Sequence, residues 1–231
     1  MAHHCRTLQR IPTASFFEER DAPPLTHHLG VDFSILSAVL LSCDDIAALN
    51  AEPVAMQSET SAPDPKWPDE LYELLRRHDV TQFAYVPDAG HTVLIDRSLA
   101  DPKVSSIALT TEEEGVAMLA GADLGGARGV LLMQSSGAGN CVNILSMIKG
   151  GRFPFLTLIS MRGDFGEGNP WQMPMGQALR PVLEAMGIIC LDVDAPDQVA
   201  TTVDAALRMT FKSRSAVAVL LTQKLIGAKA F

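Results

Sequence analysis

The chain has 231 residues, of which 47% are hydrophobic, enough to bury one large domain or two small ones. Its formal net charge of −9 argues against sequence-independent nucleic-acid binding, which needs a basic face. Four widely spaced cysteines without a CxxC pair indicate free thiols in a cytoplasmic protein, and no apolar run is long enough to span a membrane.

Residues 1–65 differ in composition from the rest of the chain. Residues 51–65 have the Pro- and Ser-containing composition of a linker. We expect residues 1–65 to be an extension and linker that is largely disordered, or in part the product of an upstream start codon, with Met56 as the natural start. The alternative is an ordered extra helix over about residues 33–49 that docks on the domain.

The pattern becomes regular at Trp67 and predicts one domain over residues 66–231. A helical pattern over residues 69–78 precedes six short apolar runs. The runs are Gln82–Val86, Ser106–Leu109, Gly129–Gln134, Phe155–Met161, Ile188–Val193 and Ala216–Thr222. Several are almost unbroken, which is typical of strands buried on both faces. The sequence therefore predicts a doubly wound α/β fold with a six-stranded, mainly parallel sheet and helices on both faces.

Polar and Gly-containing segments follow the first four runs. These are the turn 87–91, the acidic segment 112–114, the segment 134–140 and the long loop 162–176. Ligands of doubly wound sheets bind at the carboxyl ends of the strands, and long ordered loops in compact domains are usually functional. The sequence therefore predicts a site at this edge of the sheet.

Three consecutive glutamates open the helix that follows the second run. Thr110 and Thr111 are candidate N-caps, and Glu113 and Glu114 stand at the capping-box spacing behind them. All three acids could serve the helix dipole alone. Glu112 is not needed for either capping box. The residues behind the acids are small and predict a closely packed helix: Gly115, Ala117, Ala120, Gly121 and Ala122.

The segment 134–140 matches none of the common phosphate-binding or nucleophile motifs. It is not GxGxxG, because Val142 stands where the third glycine belongs, and it is neither a Walker loop nor GxSxG. Gly137 and Gly139 could serve only the packing of a strand against a helix.

Three charged or polar residues also have purely structural interpretations. Arg162 and Glu167 could form a salt bridge that only shapes the long loop, and His91 could be a hydrogen-bonding histidine in a turn. No group of residues has the spacing of a metal site, so none is predicted.

Together these segments resemble the pyrimidine-binding domain of thiamine diphosphate enzymes, as found in sulfopyruvate and phosphonopyruvate decarboxylases. The similar segments are 112–122, 134–140 and Arg162-Gly, followed by Gln172 and Met175-Gly. They occur in the family's order at successive strand ends, and the resemblance covers about residues 67–225.

The resemblance implies a role for individual residues. In the family, the catalytic glutamate lies nine residues before the glycine of an Ala-Gly pair. Here that pair is Ala120-Gly121, so the resemblance implies that Glu112 is the catalytic glutamate and hydrogen-bonds a ring nitrogen of the aminopyrimidine. The implied pyrimidine-binding residues are Gln134, Ser135, Ser136, Gly137, Gly139 and Asn140. The residues implied to face a small 2-keto acid are Pro87, Asp88, His91, Arg162 and Gln172.

The sequence also departs from the family. Ala89 replaces a serine of the first loop, and no histidine follows Gln172, so the identity of the 2-keto acid stays open. The GDG motif that holds Mg²⁺ and the diphosphate is absent from the chain. We therefore expect a hetero-oligomer in which a separate diphosphate-binding subunit holds Mg²⁺. The alternatives are a subunit of another thiamine diphosphate-dependent C–C lyase or transferase, and a non-catalytic α/β binding protein.

Overall fold

The structure is a computed structural model that describes residues 66–228 and contains one six-stranded parallel sheet. All six predicted strands are present, with ends within two residues of the prediction. The strands are β1 (Val80–Tyr85), β2 (Ser105–Ala108), β3 (Arg128–Gln134), β4 (Phe155–Ser160), β5 (Ile189–Val193) and β6 (Ala216–Leu221). The predicted extension and linker, residues 1–65, lie outside the described residues.

The described part of the chain contains eight α-helices, the first of which precedes β1. They are α1 (Trp67–Arg77), α2 (Thr92–Ala100), α3 (Glu112–Leu124), α4 (Ser135–Ala138), α5 (Leu145–Gly151), α6 (Met173–Ala185), α7 (Pro196–Phe211) and α8 (Gln223–Ile226). Two single 3₁₀ turns occur at Ala89–His91 and Gly139–Cys141. None of the helices within residues 66–228 is long and apolar enough to cross a membrane.

The strand order is β2-β1-β3-β4-β6-β5, and every neighbouring pair is parallel. The chain runs from β1 to β2 in one direction and then places β3 on the other side of β1, so the sheet is doubly wound as predicted. This reversal puts the carboxyl ends of β1 and β3 side by side. In open α/β sheets such a switch point is where ligands bind.

Two hydrophobic cores lie on the two faces of the sheet. The first contains buried residues of α1 and α7, such as Leu75 and Val203, and the second contains those of α3 and α6, such as Val116 and Leu179. Central strands contribute to both cores, which explains their continuous apolar sequences. Each fully buried aliphatic side chain contributes about 1.5–3 kcal/mol relative to an exposed one.

Helix α3 lies very close to β3, and glycine makes this possible. A Cβ atom at Gly115 would lie 2.5 Å from Leu131 Cδ1, and one at Gly129 would lie 2.3 Å from Leu119 Cδ2. The predicted close packing of α3 is therefore confirmed at its amino-terminal half. At Gly121, in contrast, a Cβ atom would meet nothing within 4 Å among the described residues.

The two cysteines of the described residues are free thiols that we expect to react slowly with alkylating reagents. Burial raises the pKa of Cys141 to about 12 and that of Cys190 to about 11, so little thiolate exists at neutral pH. With iodoacetamide at pH 7.5, followed by peptide mass spectrometry, Cys190 should be labelled before Cys141. Both should react quickly in urea. Rapid labelling of Cys141 in the folded chain would contradict its burial.

Candidate active site

The buried carboxylate of Glu112 is the centre of the first cluster of polar residues. Glu112 is the first residue of α3 and is only 8% exposed. Its Oε2 accepts a hydrogen bond of 2.8 Å from Asn140 Nδ2. Its Oε1 has no hydrogen-bond donor among the described residues. A Cβ atom at Gly137 would lie 2.0 Å from Oε1, so the carboxylate occupies the space that glycine leaves.

The other two glutamates at the start of α3 behave differently from Glu112. Both are exposed. Glu114 accepts a hydrogen bond of 3.0 Å from the backbone N–H of Thr110, whereas the N-cap, Thr111, makes no side-chain cap bond. The expected pair of capping boxes was therefore wrong, and only Glu114 satisfies a backbone donor. Of the three acids, only Glu112 is turned into the protein.

The second cluster surrounds Asp88, directly after β1. Its carboxylate accepts hydrogen bonds from Ser160 Oγ (2.6 Å) and Gln134 Nε2 (3.2 Å), and from the backbone N–H of Gly90 (3.1 Å). Ser136 Oγ donates to Gln134 Oε1 over 2.8 Å. The chain segment 134–137 thus connects Asp88 with Glu112, and the site lies at the switch point between β1 and β3.

A cavity of about 120 Å³ opens beside Asp88. Its lining residues are Asp88, Ala89, Gly90, Gln134, Ser160, Arg162, Ile226 and Gly227. The structure therefore brings together three residues that the sequence analysis selected at different strand ends: Asp88, Gln134 and Arg162. The cavity is lined by both hydrogen-bond donors and hydrogen-bond acceptors and can hold a small polar molecule.

Arg162 and Glu167 form a buried ion pair at the start of the long loop. Arg162 Nε and Nη2 donate to the two oxygens of Glu167 over 2.6 and 2.8 Å, and the Glu167 side chain is fully buried. The same carboxylate accepts from the N–H groups of Gly163 and Asn169, and from Gln223 Nε2 over 3.1 Å. This salt bridge shapes the loop and also places Arg162 at the cavity.

The remaining selected residues lie around these clusters. Ser135 Oγ bonds the backbone of Arg162, with 3.0 Å to its N–H, and so joins the ends of β3 and β4 rather than pointing at a ligand. Gly139 approaches the Met175 sulfur. Pro87 is exposed and Gln172 is half-buried, and neither lines the cavity beside Asp88.

His91 is buried behind the turn that follows β1. Its Nε2 lies 3.2 Å from the carbonyl oxygen of Met133, which can only accept, so this nitrogen carries the proton. Burial lowers the pKa of His91, which favours the neutral ring at physiological pH. His91 lines a separate cavity of about 210 Å³ that shares Ala89, Gly90 and Ile226 with the cavity beside Asp88.

Three residues of this site were missed by the sequence analysis: Ser160, Asp164 and Gln223. Ser160 is the polar last residue of the apolar strand β4, a signal that could have been used. Gln223 Oε1 accepts from the N–H groups of Asp164 and Phe165, and Asp164 accepts from the N–H of Gln223. Nothing in the local sequence indicates this pairing, because the partners are distant along the chain.

Low pH should weaken the ion pair and hydrogen bonds that the Glu167 carboxylate makes. Hydrogen bonds from Arg162, assisted by backbone N–H groups, lower the pKa of Glu167 to about 2, whereas the carboxyl titrates near 4.5 without these contacts. The folded-state pKa is the lower one, so this contribution to stability is complete above pH 4.5 and is lost as the pH falls towards 2. Urea unfolding at pH 6 and pH 3 should show a larger loss for the wild type than for Glu167→Gln. Equal losses would contradict the assignment.

The amino-acid sequence is similar to those of named decarboxylases. It is 34% identical to the sulfopyruvate decarboxylase subunit alpha of Methanococcus maripaludis over 152 residues, which are 65% of this chain and 91% of that protein. The corresponding subunit of Methanocaldococcus jannaschii is 32% identical over 151 residues, 65% of this chain and 89% of that one. Phosphonopyruvate decarboxylase of Streptomyces viridochromogenes is 37% identical over 107 residues, 46% of this chain but only 27% of its own length.

The fold is also found in a solved structure. The 2-oxoglutarate:ferredoxin oxidoreductase of Magnetococcus marinus superposes with a TM-score of 0.57 over 69% of this chain and 29% of that chain. At 16% identity this similarity concerns the fold. No protein-family model matches the chain. The alpha-subunit relatives are carboxy-lyases by name, are matched over most of their length and imply a partner subunit. The chain belongs to the family of sulfopyruvate decarboxylase alpha subunits.

Proposed function

We propose that this chain is the pyrimidine-binding subunit of a heteromeric, thiamine diphosphate-dependent decarboxylase of small 2-keto acids such as sulfopyruvate or phosphonopyruvate. The observation that carries the proposal is the Glu112 carboxylate. It is buried, it is fixed by Asn140 through one oxygen, and its other oxygen has no donor among the described residues. Because this oxygen is not one of the fully buried unpartnered side-chain atoms of the described residues, it is open to a ligand that can supply the missing hydrogen bond.

The residues around Glu112 suit an aminopyrimidine ring. Gly137 leaves no side chain between α4 and the carboxylate, and the segment 134–140 supplies small or hydrogen-bonding side chains along one wall. We assign cofactor binding to Gln134, Ser135, Ser136, Gly137, Gly139 and Asn140. Within this set Ser135 acts by fixing the segment to the backbone of Arg162, and Asn140 by orienting Glu112.

Glu112 would hold and share a proton with a ring nitrogen of the pyrimidine through Oε1. A positioned acid or base of this kind is worth roughly 10²–10⁴ in rate. When bound, thiamine diphosphate supplies the nucleophilic carbon and the electron sink for decarboxylation. The role of this chain is to orient the ring, to keep the carboxylate in place and to exclude water from it.

The cavity beside Asp88 is the proposed site of the 2-keto acid. Arg162 can donate hydrogen bonds to a carboxylate, sulfonate or phosphonate group at its wall. Ser160 and Gln134 hold Asp88 in one orientation beside it. We also propose that Pro87, His91 and Gln172 surround this cavity, although none of them lines it. His91 lies behind the cavity wall.

The partner is proposed to be a diphosphate-binding subunit that holds Mg²⁺. The described residues contain no group of three or more His, Cys, Asp or Glu side chains that could hold a metal ion. The full sequence also lacks a GDG motif. The cytoplasm stays the predicted location.

Co-expression with the product of a neighbouring gene that encodes a GDG motif tests the proposal. The purified complex, supplied with thiamine diphosphate and Mg²⁺, should release CO₂ from sulfopyruvate, phosphonopyruvate or pyruvate, whereas the chain alone should be inactive. Release of CO₂ at the full rate by the lone chain would refute the subunit assignment. A stable complex that decarboxylates none of the three acids would refute the activity.

A further inference from the structure

The loop between β4 and α6, residues 163–172, presents two large aromatic side chains to solvent. Trp171 is 89% exposed and Phe165 is 56% exposed. Trp171 is the most exposed large hydrophobic residue of the described part of the chain, and the other tryptophan, Trp67, is 8% exposed. Tryptophan is rare on free surfaces and is enriched among the residues that dominate protein–protein binding.

The backbone of the loop that carries these aromatic residues is held by hydrogen bonds. The fully buried Glu167 carboxylate accepts five hydrogen bonds from Arg162, Gly163, Asn169 and Gln223. The side chain of Asn169 in turn accepts from the N–H of Trp171 over 3.0 Å. The backbone at both ends of the loop is therefore anchored, so the position from which the indole projects is already set in the unbound chain.

The loop lies directly beside the proposed substrate cavity. It starts after Arg162, which lines the cavity, and the N–H of Phe165 is bound by Gln223 of α8. Helix α8 also carries Ile226, which lines the same cavity. Any protein that covers this cavity from the carboxyl edge of the sheet must therefore approach the loop.

We propose that residues 163–172 form the main contact with the partner subunit, with Trp171 as its central anchor. This inference rests on the proposed function. The occupant is a different subunit, because the proposed function needs a metal ion and the described residues contain no group of three or more His, Cys, Asp or Glu side chains that could hold one. The described residues of a second copy of this chain would lack the same metal-binding group. The partner should offer an apolar pocket for the indole, with a hydrogen-bond acceptor for its N–H.

The first test compares assembly of two variants with the partner subunit isolated from the active complex. Trp171→Ala should raise the dissociation constant roughly tenfold or more, as expected for a central aromatic anchor. Leu99→Ala on α2 is the matched control, because Leu99 is 58% exposed and lies outside the loop. Its dissociation constant should stay within about twofold of the wild type by the same criterion. Equal affinities of wild type and Trp171→Ala would overturn the inference.

The second test follows the indole itself. The chain has two tryptophans, so Trp67→Phe leaves Trp171 as the only one. Its fluorescence should shift to the blue and become protected from iodide when the partner is added. The same shift on concentrating the chain alone would assign the loop to self-association and overturn the inference. If Trp67→Phe does not fold, ¹⁹F NMR of the 5-fluorotryptophan-labelled wild type gives the same readout.

The two tests separate this inference from the proposed function. A wild-type chain that binds no diphosphate-binding subunit would refute both. A wild-type complex that is active, but that forms equally well with Trp171→Ala and leaves Trp171 in water, would refute only the assignment of the loop.

Discussion

Replacing Glu112 by Gln should lower the kcat of the assembled enzyme by roughly 10²–10⁴-fold while leaving the fold intact. Glutamine has nearly the same shape, and its amide oxygen can still accept the hydrogen bond from Asn140. What is lost is the ability of the second oxygen to hold a proton. The measurement is steady-state CO₂ release by the complex, accompanied by thermal unfolding of the isolated chain.

Glu113→Gln and Glu114→Gln are the matched controls for this result. Both residues are neighbours of Glu112 and both are exposed, so the same chemical change occurs outside the buried site. Their kcat values should remain near that of the wild type. If one of them is inactive and Glu112→Gln is active, the assignment of the catalytic glutamate is wrong.

Gly137→Ala should also abolish most activity, although it changes neither a charge nor a hydrogen-bonding group. The new Cβ would lie 2.0 Å from Glu112 Oε1 and 2.3 Å from Cδ, so the carboxylate must move. It stands at the end of a flexible side chain and can rotate away, so we expect the domain to fold. The kcat should fall roughly as far as in Glu112→Gln, by 10²-fold or more.

Gly150→Ala is the control for the effect of alanine in a helix. Gly150 lies in α5, and a Cβ there would meet nothing within 4 Å among the described residues. Because Gly150 is the next-to-last residue of this helix, the substitution should stabilise the chain by at most about 0.5–1 kcal/mol and leave kcat unchanged. Normal activity of Gly137→Ala would show that the position of Glu112 is not critical.

The strands could be predicted because their physical cause is local. A strand buried on both faces must be apolar at every position, and β3, β4 and β6 satisfy this over almost their whole length. The order of the strands could not be derived in this way, because it depends on which helix covers which face. The prediction of a site at the carboxyl edge needed only the parallel fold and the positions of polar residues after each strand.

The contacts inside the site were less predictable than its location. Asp88 was selected, but its bond to Ser160 joins two loops that are far apart in sequence. Glu114 bonds a backbone N–H one residue earlier than the capping box requires, which only the actual backbone geometry decides. The ion pair between Arg162 and Glu167 was anticipated as a contact that shapes the loop. The hydrogen bond that Gln223 donates to Glu167 was not anticipated.

The hydrogen bond between Gln223 and Glu167 affects how unfolding disrupts the cavity beside Asp88. Gln223 begins the helix after β6, and Ile226 at the end of that helix lines the same small cavity as Asp88, which follows β1, so the cavity walls come from both ends of the described chain. A fragment that lacks either end of the described residues cannot contain the whole cavity, and partial unfolding at either end removes a wall. Ligand occupancy should therefore raise the unfolding temperature of the whole domain as one cooperative unit.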